Sequence, residues 1–306
     1  MSAAASSQRL PLLLACGQLL SRCTFPPIGT DVTCAVSGGA DSTALLALAV
    51  AAGLHVTAVH VDHGLRVGSA AEAAVVAESA RLLGAAFRSE QVVVPDGSNL
   101  EARARDARFA VLPPQVLTGH TADDQAETVL VNLLRGAATS GLAGMRPGPQ
   151  HPLLAIRRSE TVALCAALEL PVVHDPSNLD PRHLRNRVRH ELLPLMAELS
   201  QRDPVPVLAR QAGLARDDDD LMEQLATALD PADAQALTAA PVALARRAVR
   251  RWLTTSHPPD AATVERVLNV ARGGAVAAEV GGGRRVQRHR QRLSLGSDDQ
   301  GAQQVT

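Results

Sequence analysis

The chain has no lysine and no tyrosine. A Walker-type phosphate loop and a Schiff-base mechanism each need a lysine amine, so both are excluded. Every side-chain cation is arginine or histidine. Aromatic residues make up 1% of the chain, which leaves few rings on which bases could stack and weakens a generic single-strand-binding reading. Four cysteines (Cys16, Cys23, Cys34 and Cys165) form no C-x-x-C pair and no zinc-like grouping. Three of them lie in apolar stretches, where a thiol acts as a small hydrophobe, and the set suggests a reducing, cytoplasmic setting. No run is long and apolar enough to span a bilayer, so no membrane partner is expected. LLLAC at 12–16 resembles a lipoprotein cleavage site. The apolar run before Cys16 is short, contains Pro11 and follows a single cation, Arg9, so a short amphipathic helix leading into the first strand is expected instead. Net charge is −1, and a polyanionic partner would have to be met by local patches.

At 306 residues, with 46% hydrophobic content, the chain can build one large domain and a smaller one. The first 136 residues alternate between β-branched runs and helical segments: strand 31–37, helix 41–52, strand 54–63, helix from 69 to 84, strand 86–94, helix 98–112, strand 115–120 and helix 121–136. Ser98, three residues before Glu101, reads as a capping box. This alternation predicts an α/β fold, a doubly wound parallel sheet, whose ligands bind beyond the carboxyl ends of the strands. A Gly/Pro-rich loop (137–157), a helix (158–170), a short VV strand and a strongly basic helix around 182–198 follow. Past residue 200 the composition turns to Ala/Leu/Arg/Asp-rich helices, then to strands around a glycine turn. The expected division is a catalytic domain over 1–200 and a smaller, mainly helical domain over 201–306. The run DDDD at 217–220 reads as a solvated helix face.

Residues 35–46 read AVSGGADSTALL and carry the first functional signal. Gly38 and Gly39 let the backbone approach an anion closely, and the helix start beyond them presents free amides and the positive end of the dipole. Ser37 and Ser42 are candidate donors to phosphate oxygens, and Ala40 adds no side-chain bulk. Asp41 is the odd member, since a carboxylate beside phosphates repels them unless a divalent cation lies between. A nucleotide with Mg²⁺ is the simplest account, with Asp41 as the metal ligand.

SGGxDS after a first strand is the signature of the N-type ATP pyrophosphatases, of the PP-loop superfamily, which cleave ATP to AMP and pyrophosphate. Four further segments, HVDHGLR (60–66), EARARDARF (101–109), TGHTADDQAETVLVNLLRG (118–136) and DPSNLDPRHLRNRVRHELLP (175–194), make the chain resemble the tRNA(Ile)-lysidine synthetase family over its first two-thirds. The tail, with RRAVRRWL and GGGRRVQRHRQRLSL, resembles the smaller substrate-binding domain more loosely, and the additional C-terminal domain of longer members is not expected in it. The resemblance implies an adenine nucleotide alpha hydrolase-like fold, ATP and Mg²⁺ as cofactors, and L-lysine and the CAU-anticodon tRNA(Ile) as substrates. It implies lysidine formation at the wobble cytidine through an adenylated tRNA, which changes the codon read from AUG to AUA. A homodimer is compatible with the sequence, which does not fix the oligomeric state.

Residue by residue, Asp62 and His63 end the second strand and are expected at the adenine and ribose lip. Arg105 and Arg108, three apart on one helix face, suit a leaving pyrophosphate, which needs planar, permanently charged donors. His120 ends the fourth strand, and Asp124 and Glu127 give the next helix an acidic start. The resemblance implies that they hold lysine's amino groups, with Asp124 first. Arg185 and Arg189, an i, i+4 pair, match an RN-x-x-R pattern that contacts ATP, lysine or the tRNA backbone. A tRNA thiolating enzyme of the cluster or cysteine-pair type lacks its C-x-x-C here, and a nucleotide-binding module without turnover leaves the acidic helix start unexplained.

Overall fold

The computed structural model describes residues 3–62, 69–94, 97 and 100–297. His63 and Ser98, singled out above, lie outside the described residues. The chain divides into two compact units, Met1–Ala215 and Arg216–Thr306, while the composition changes near residue 200.

In the first unit, helix α1 (Ala3–Leu20) leads into β1 (Asp31–Ala35), α2 (Ala40–Ala51), β2 (His55–Asp62), α3 (Ser69–Leu83), β3 (Ala86–Gln91), α4 (Leu100–Val111), β4 (Leu117–Thr118) and α5 (Ala122–Leu134). The strands pair in the order β3-β2-β1-β4, and every pairing is parallel. β1 is flanked by β2 on one side and β4 on the other, so the sheet order reverses between β1 and β4. In open parallel sheets such a switch point, beyond the carboxyl ends of the strands, is where ligands bind. The core packs one face of β1 and β2 beneath α2, an Ala/Leu helix with Leu45, Leu46 and Leu48 fully buried together with Cys16 and Cys34.

Several sequence expectations change. β4 was expected over 115–120 but pairs only at Leu117 and Thr118, because Gly119 has already turned towards α2. The VV segment forms no strand: the Val173 amide instead donates to the Gly38 carbonyl at 2.8 Å.

After a short α6 (Thr139–Leu142), α7 (Arg158–Ala167) packs on α2, and a 3₁₀ turn covers Pro176–Leu179. The basic helix is one α-turn, α8 (Leu184–Arg187), a π-turn at Val188–Leu192, and α9 (Leu193–Ser200). π-turns of this kind are frequent at functional sites. Helix α10 (Pro204–Thr227) contains the division between the two units.

The second unit comprises α11 (Ala234–Ala239), α12 (Val242–Leu253), α13 (Ala261–Ala271) and an antiparallel sheet of β5 (Ala277–Gly281), β6 (Arg284–His289) and β7 (Arg292–Ser297). Its core joins Val249, Leu253, Val267 and Leu268 to Val286 and Leu293. The aspartate run is less idle than its composition suggests, since Asp219 accepts from Arg247 at 2.5 Å. Arg246 and Arg251 likewise meet Glu265 and Glu223.

Candidate active site

The corner after β1 is built from its own backbone. Gly38 has φ +90°, and a Cβ there would lie 2.8 Å from Val173 Cγ2, so both dihedral and space demand glycine. The Gly38 carbonyl accepts from the Val173 amide and from Thr43 Oγ1 at 3.3 Å. Ser42 Oγ donates to the Gly39 carbonyl at 2.9 Å and accepts from the Ser37 amide at 3.2 Å. The two serine hydroxyls lie 3.2 Å apart. Gly39 is the N-cap of α2 and brings no side chain to its first turn, which leaves first-turn amides for an anion.

β4 delivers the second wall. A Cβ on Gly119 would stand 2.7 Å from the Asp41 carbonyl oxygen and 3.0 Å from Ser42 Cα, so this glycine sets how closely the β4 end and the corner approach. Helix α5 begins at once, with Thr121 and Asp124 closing a capping box. Asp124 and Glu127, one turn apart, then face Asp41.

A single guanidinium joins all three acids. Arg158 donates from Nε to Asp41 Oδ2 at 3.1 Å, from Nη1 to Glu127 Oε1 at 2.8 Å and from Nη2 to Asp124 Oδ1 at 2.8 Å. Arg185 adds bonds to Glu127 Oε2 at 2.7 Å and Asp124 Oδ1 at 2.9 Å, and Arg189 Nε lies 4.0 Å from Glu127. Glu127 is only 2% exposed, a depth at which a carboxylate needs such partners. Thr161 Oγ1 donates to Asp41 Oδ1.

Burial pushes the Asp41 carboxyl up, against the pull of Thr161 and Arg158. Burial also pushes Asp124 up, but Arg158, Arg185 and the Thr121 amide outweigh it and hold the carboxyl below its usual range. The acids expected to bind amino groups are thus already bonded to arginine.

Behind this cluster, Asp123 accepts from Arg157 at 3.0 and 3.1 Å and from the Arg158 amide at 2.8 Å. Arg157 also bonds Asp203. A cleft of about 530 Å³ opens here between the charges of Glu127, Arg158 and Arg189 and the apolar side chains of Val162 and Leu193.

His120 Nδ1 lies 2.8 Å from Thr118 Oγ1, which also meets His151 Nδ1 at 2.7 Å and the Gln150 carbonyl at 3.0 Å. One hydroxyl can donate once and accept twice. With Gln150 as its acceptor, both imidazoles donate from Nδ1. Burial, opposed by Asp124, pushes His120 down to about 4, so the ring is neutral.

Asp62 is buried at the end of β2. Arg105 and Arg108 sit with their guanidinium carbons 5.0 and 5.4 Å from the centroid of the Phe109 ring. The buried Arg108 Nε has no hydrogen-bond partner, and burial, then Arg105, pushes its pKa down.

The structure therefore brings together Asp41, Asp124, Glu127 and Arg185, with Arg189 at the edge and His120 adjoining. It places Asp62 at the end of β2 and Arg105 and Arg108 on α4. Sequence reasoning missed Arg157, Arg158, Thr161, Gly119 and His151. A signal existed for the first two: arginines opening a helix oppose its dipole, a cost that carboxylates opposite would offset. His151, in a loop, had none.

This architecture, a parallel sheet with a glycine corner and an acidic helix start at its switch point, defines an ATP-binding PP-loop protein, and the PP-loop domain model matches residues 19–196. The TilS substrate binding domain model matches residues 233–294. The chain is 42% identical over 281 residues to tRNA(Ile)-lysidine synthase of Nocardia farcinica, covering 85% of this chain and 88% of that one. It is 44% identical over 235 residues to the enzyme of the same name from Mycolicibacterium paratuberculosis, covering 72% and 73%. Among solved structures, U34-tRNA thiolase NcsA from Methanococcus maripaludis aligns with a TM-score of 0.51 at 17% identity, over 69% of this chain and 80% of that one; this likeness is one of fold. The chain belongs to the tRNA(Ile)-lysidine synthase family, and it is a ligase that modifies tRNA. Among the described residues, no helix is long and apolar enough to cross a membrane.

Proposed function

We propose that the chain joins L-lysine to the wobble cytidine of the CAU-anticodon tRNA(Ile), through an adenylated tRNA, and so moves decoding from AUG to AUA. The observation that carries this reading is that one guanidinium bonds both Asp41 of the glycine corner and the acid pair Asp124–Glu127. Phosphate chemistry and amine recognition thereby share one site.

ATP is taken by the corner at Ser37–Ser42, with first-turn amides of α2 on its phosphates. The cytidine 2-carbonyl oxygen attacks the α-phosphorus: an O–P bond forms and the bond to pyrophosphate breaks. Arg105 and Arg108 take up the charge that leaves, and the orphaned Arg108 Nε fits such an acceptor. The donor set also fits Mg²⁺, which is usually held by one or two carboxylates together with substrate phosphates, and Asp41 stands beside the corner. When bound, that ion neutralises charge developing on the phosphates.

Asp124 and Glu127 then orient the lysine side-chain amine, with Arg185 bonded to both acids and Arg189 beside Glu127. The amine attacks the activated carbon, a C–N bond forms, the C–O bond to AMP breaks, and the nitrogen gives up a proton. Positioning and charge neutralisation supply most of the acceleration. Asp62 and His63 form the adenine and ribose side, the second unit meets the tRNA, and the reaction takes place in the cytoplasm.

The test is incubation with ATP, Mg²⁺, radiolabelled lysine and bulk tRNA. Label should enter RNA and pyrophosphate should be released, and Asp41→Ala should abolish both. An Asp41→Ala protein with full activity, or unlabelled RNA with the wild type, refutes the reading.

A further inference from the structure

We infer that Arg158 is a positioning residue that competes with the divalent cation for Asp41, so the metal binds only once this guanidinium has released that carboxylate. The inference rests on the reading above, in which Asp41 meets the metal. Arg158 is held in place from three directions. Each of its three nitrogens donates to a different carboxylate, one on α2 and two on α5. Its side chain is 17% exposed, so water cannot readily replace those partners.

Helix α7 presses it there through one stripe. Arg158 and Thr161 both bond Asp41, and Cys165 Sγ, one turn further, lies 3.4 Å from the Ala40 carbonyl. With Thr161 on Oδ1 and Arg158 on Oδ2, both oxygens of Asp41 are engaged. A Mg²⁺-like ion needs one of them in its own shell, where it would stand directly beside the guanidinium charge.

The helix itself does not favour this cation, since an arginine in the first turn faces the positive end of the dipole. The acids hold it, and a second cation reaching the same acids meets repulsion from Arg158 and competes with it for their charge. Release from Asp41 leaves Arg158 on Asp124 and Glu127, where an arriving triphosphate supplies negative charge for it. Metal should therefore bind the protein alone poorly and the protein with nucleotide well.

Mn²⁺ binding, followed by electron paramagnetic resonance without nucleotide, separates competition from simple support. Arg158→Met removes the charge with little change in volume and should bind Mn²⁺ about tenfold tighter than wild type. Arg158→Lys, a point charge that cannot bridge three carboxylates, should fall between. A purely structural arginine predicts the reverse, because a loosened cluster holds metal less well. Unchanged or weaker binding in folded variants overturns the inference. If circular dichroism shows that Arg158→Met does not fold, Arg158→Lys carries the test alone. A control with α,β-methylene-ATP distinguishes the two levels of failure. If Mn²⁺ binds the nucleotide complexes of wild type and Asp41→Asn equally, the role given to Asp41 is wrong. If it depends on Asp41 while the Arg158 variants bind no tighter, only the competition is wrong.

Discussion

Gly119→Ala is the sharpest single perturbation of this fold, because one methyl group reports on both stability and catalysis. The added Cβ would lie 2.7 Å from the Asp41 carbonyl oxygen, 2.8 Å from its carbon and 3.0 Å from Ser42 Cα. All three atoms are backbone in the first turn of α2, so no side chain can swing aside. Ordinary contact begins at 3.4 Å, so the β4 end and the α2 start must separate by about 0.7 Å. Overpacking of this kind costs about 1–3 kcal/mol, which for a unit of this size lowers the melting temperature by about 5 °C. The helix start that moves is also the one that would face the phosphates, and misplacement by less than an ångström is expected to slow pyrophosphate release about 10- to 100-fold. Gly213→Ala is the control. It sits within α10 with no atom within 4 Å of its added Cβ, so helix propensity should make it stabilising by about 0.5–1 kcal/mol. Differential scanning calorimetry and a coupled pyrophosphate assay read the two effects. A Gly119→Ala protein that melts and turns over like wild type would show that the close approach of β4 to the corner does not exist.

Three further outcomes are expected. Arg108→Met removes a guanidinium whose buried Nε lacks a partner; the protein should melt at the same temperature or higher while pyrophosphate release falls about 100-fold, and lower stability with intact turnover would refute the assignment. His120 is pushed down to about 4 by burial, so the folded state binds fewer protons than the unfolded chain between that value and about 6.5. Stability is then complete above about pH 6.5 and is lost as pH falls towards 4, and His120→Asn should flatten this dependence by up to about 1.4 kcal/mol per pH unit in urea titrations. An unchanged slope would place the titrating group elsewhere. Asp123→Asn weakens both bonds to Arg157 and the acceptor of the Arg158 amide; unfolding should become easier by about 1–3 kcal/mol, and a melting curve superimposable on wild type would deny Asp123 that anchoring role.

The fold and the corner were legible in the sequence because both rest on local spacing. Strand, glycine and helix lie within a dozen residues of one another, and period-2 and helical patterns alternate four times before residue 136. What the sequence hid was long-range. Asp41 and Arg158 are 117 positions apart, and nothing in AIRRSETV names its partners, although a dibasic helix start against the dipole favours some. The shortness of β4 escaped for a related reason, since the brevity of its pairing follows from where Gly119 must go rather than from strand propensity. The basic segment was read as an unbroken helix. Its π-turn shifts the helical phase between Arg185 and Arg189, yet both guanidinium groups still lie within 4.0 Å of Glu127.

The absence of lysine acquires a chemical meaning once the site is assembled. A site that activates a carbon for attack by a primary amine endangers any lysine of its own within reach, because that side chain is the same nucleophile as the proposed substrate. Arginine can clasp Asp124 and Glu127 with the same charge and more donors, and it stays protonated at every working pH. Its guanidinium can therefore neutralise the acids, hold them in place and still be chemically silent towards the activated base. On the proposed reading, the only side-chain amine that can reach the reacting carbon is the one carried in by substrate. Introducing a competitor should make that visible. In Arg185→Lys the new ammonium faces Glu127, where Arg185 Nε now stands 2.7 Å from Oε2, and in the absence of free lysine it should become covalently joined to adenylated tRNA. A protein–RNA adduct that depends on ATP and is suppressed by added lysine is the expected result. Its absence in a variant that still adenylates tRNA would mean that the acids lie away from the activated carbon.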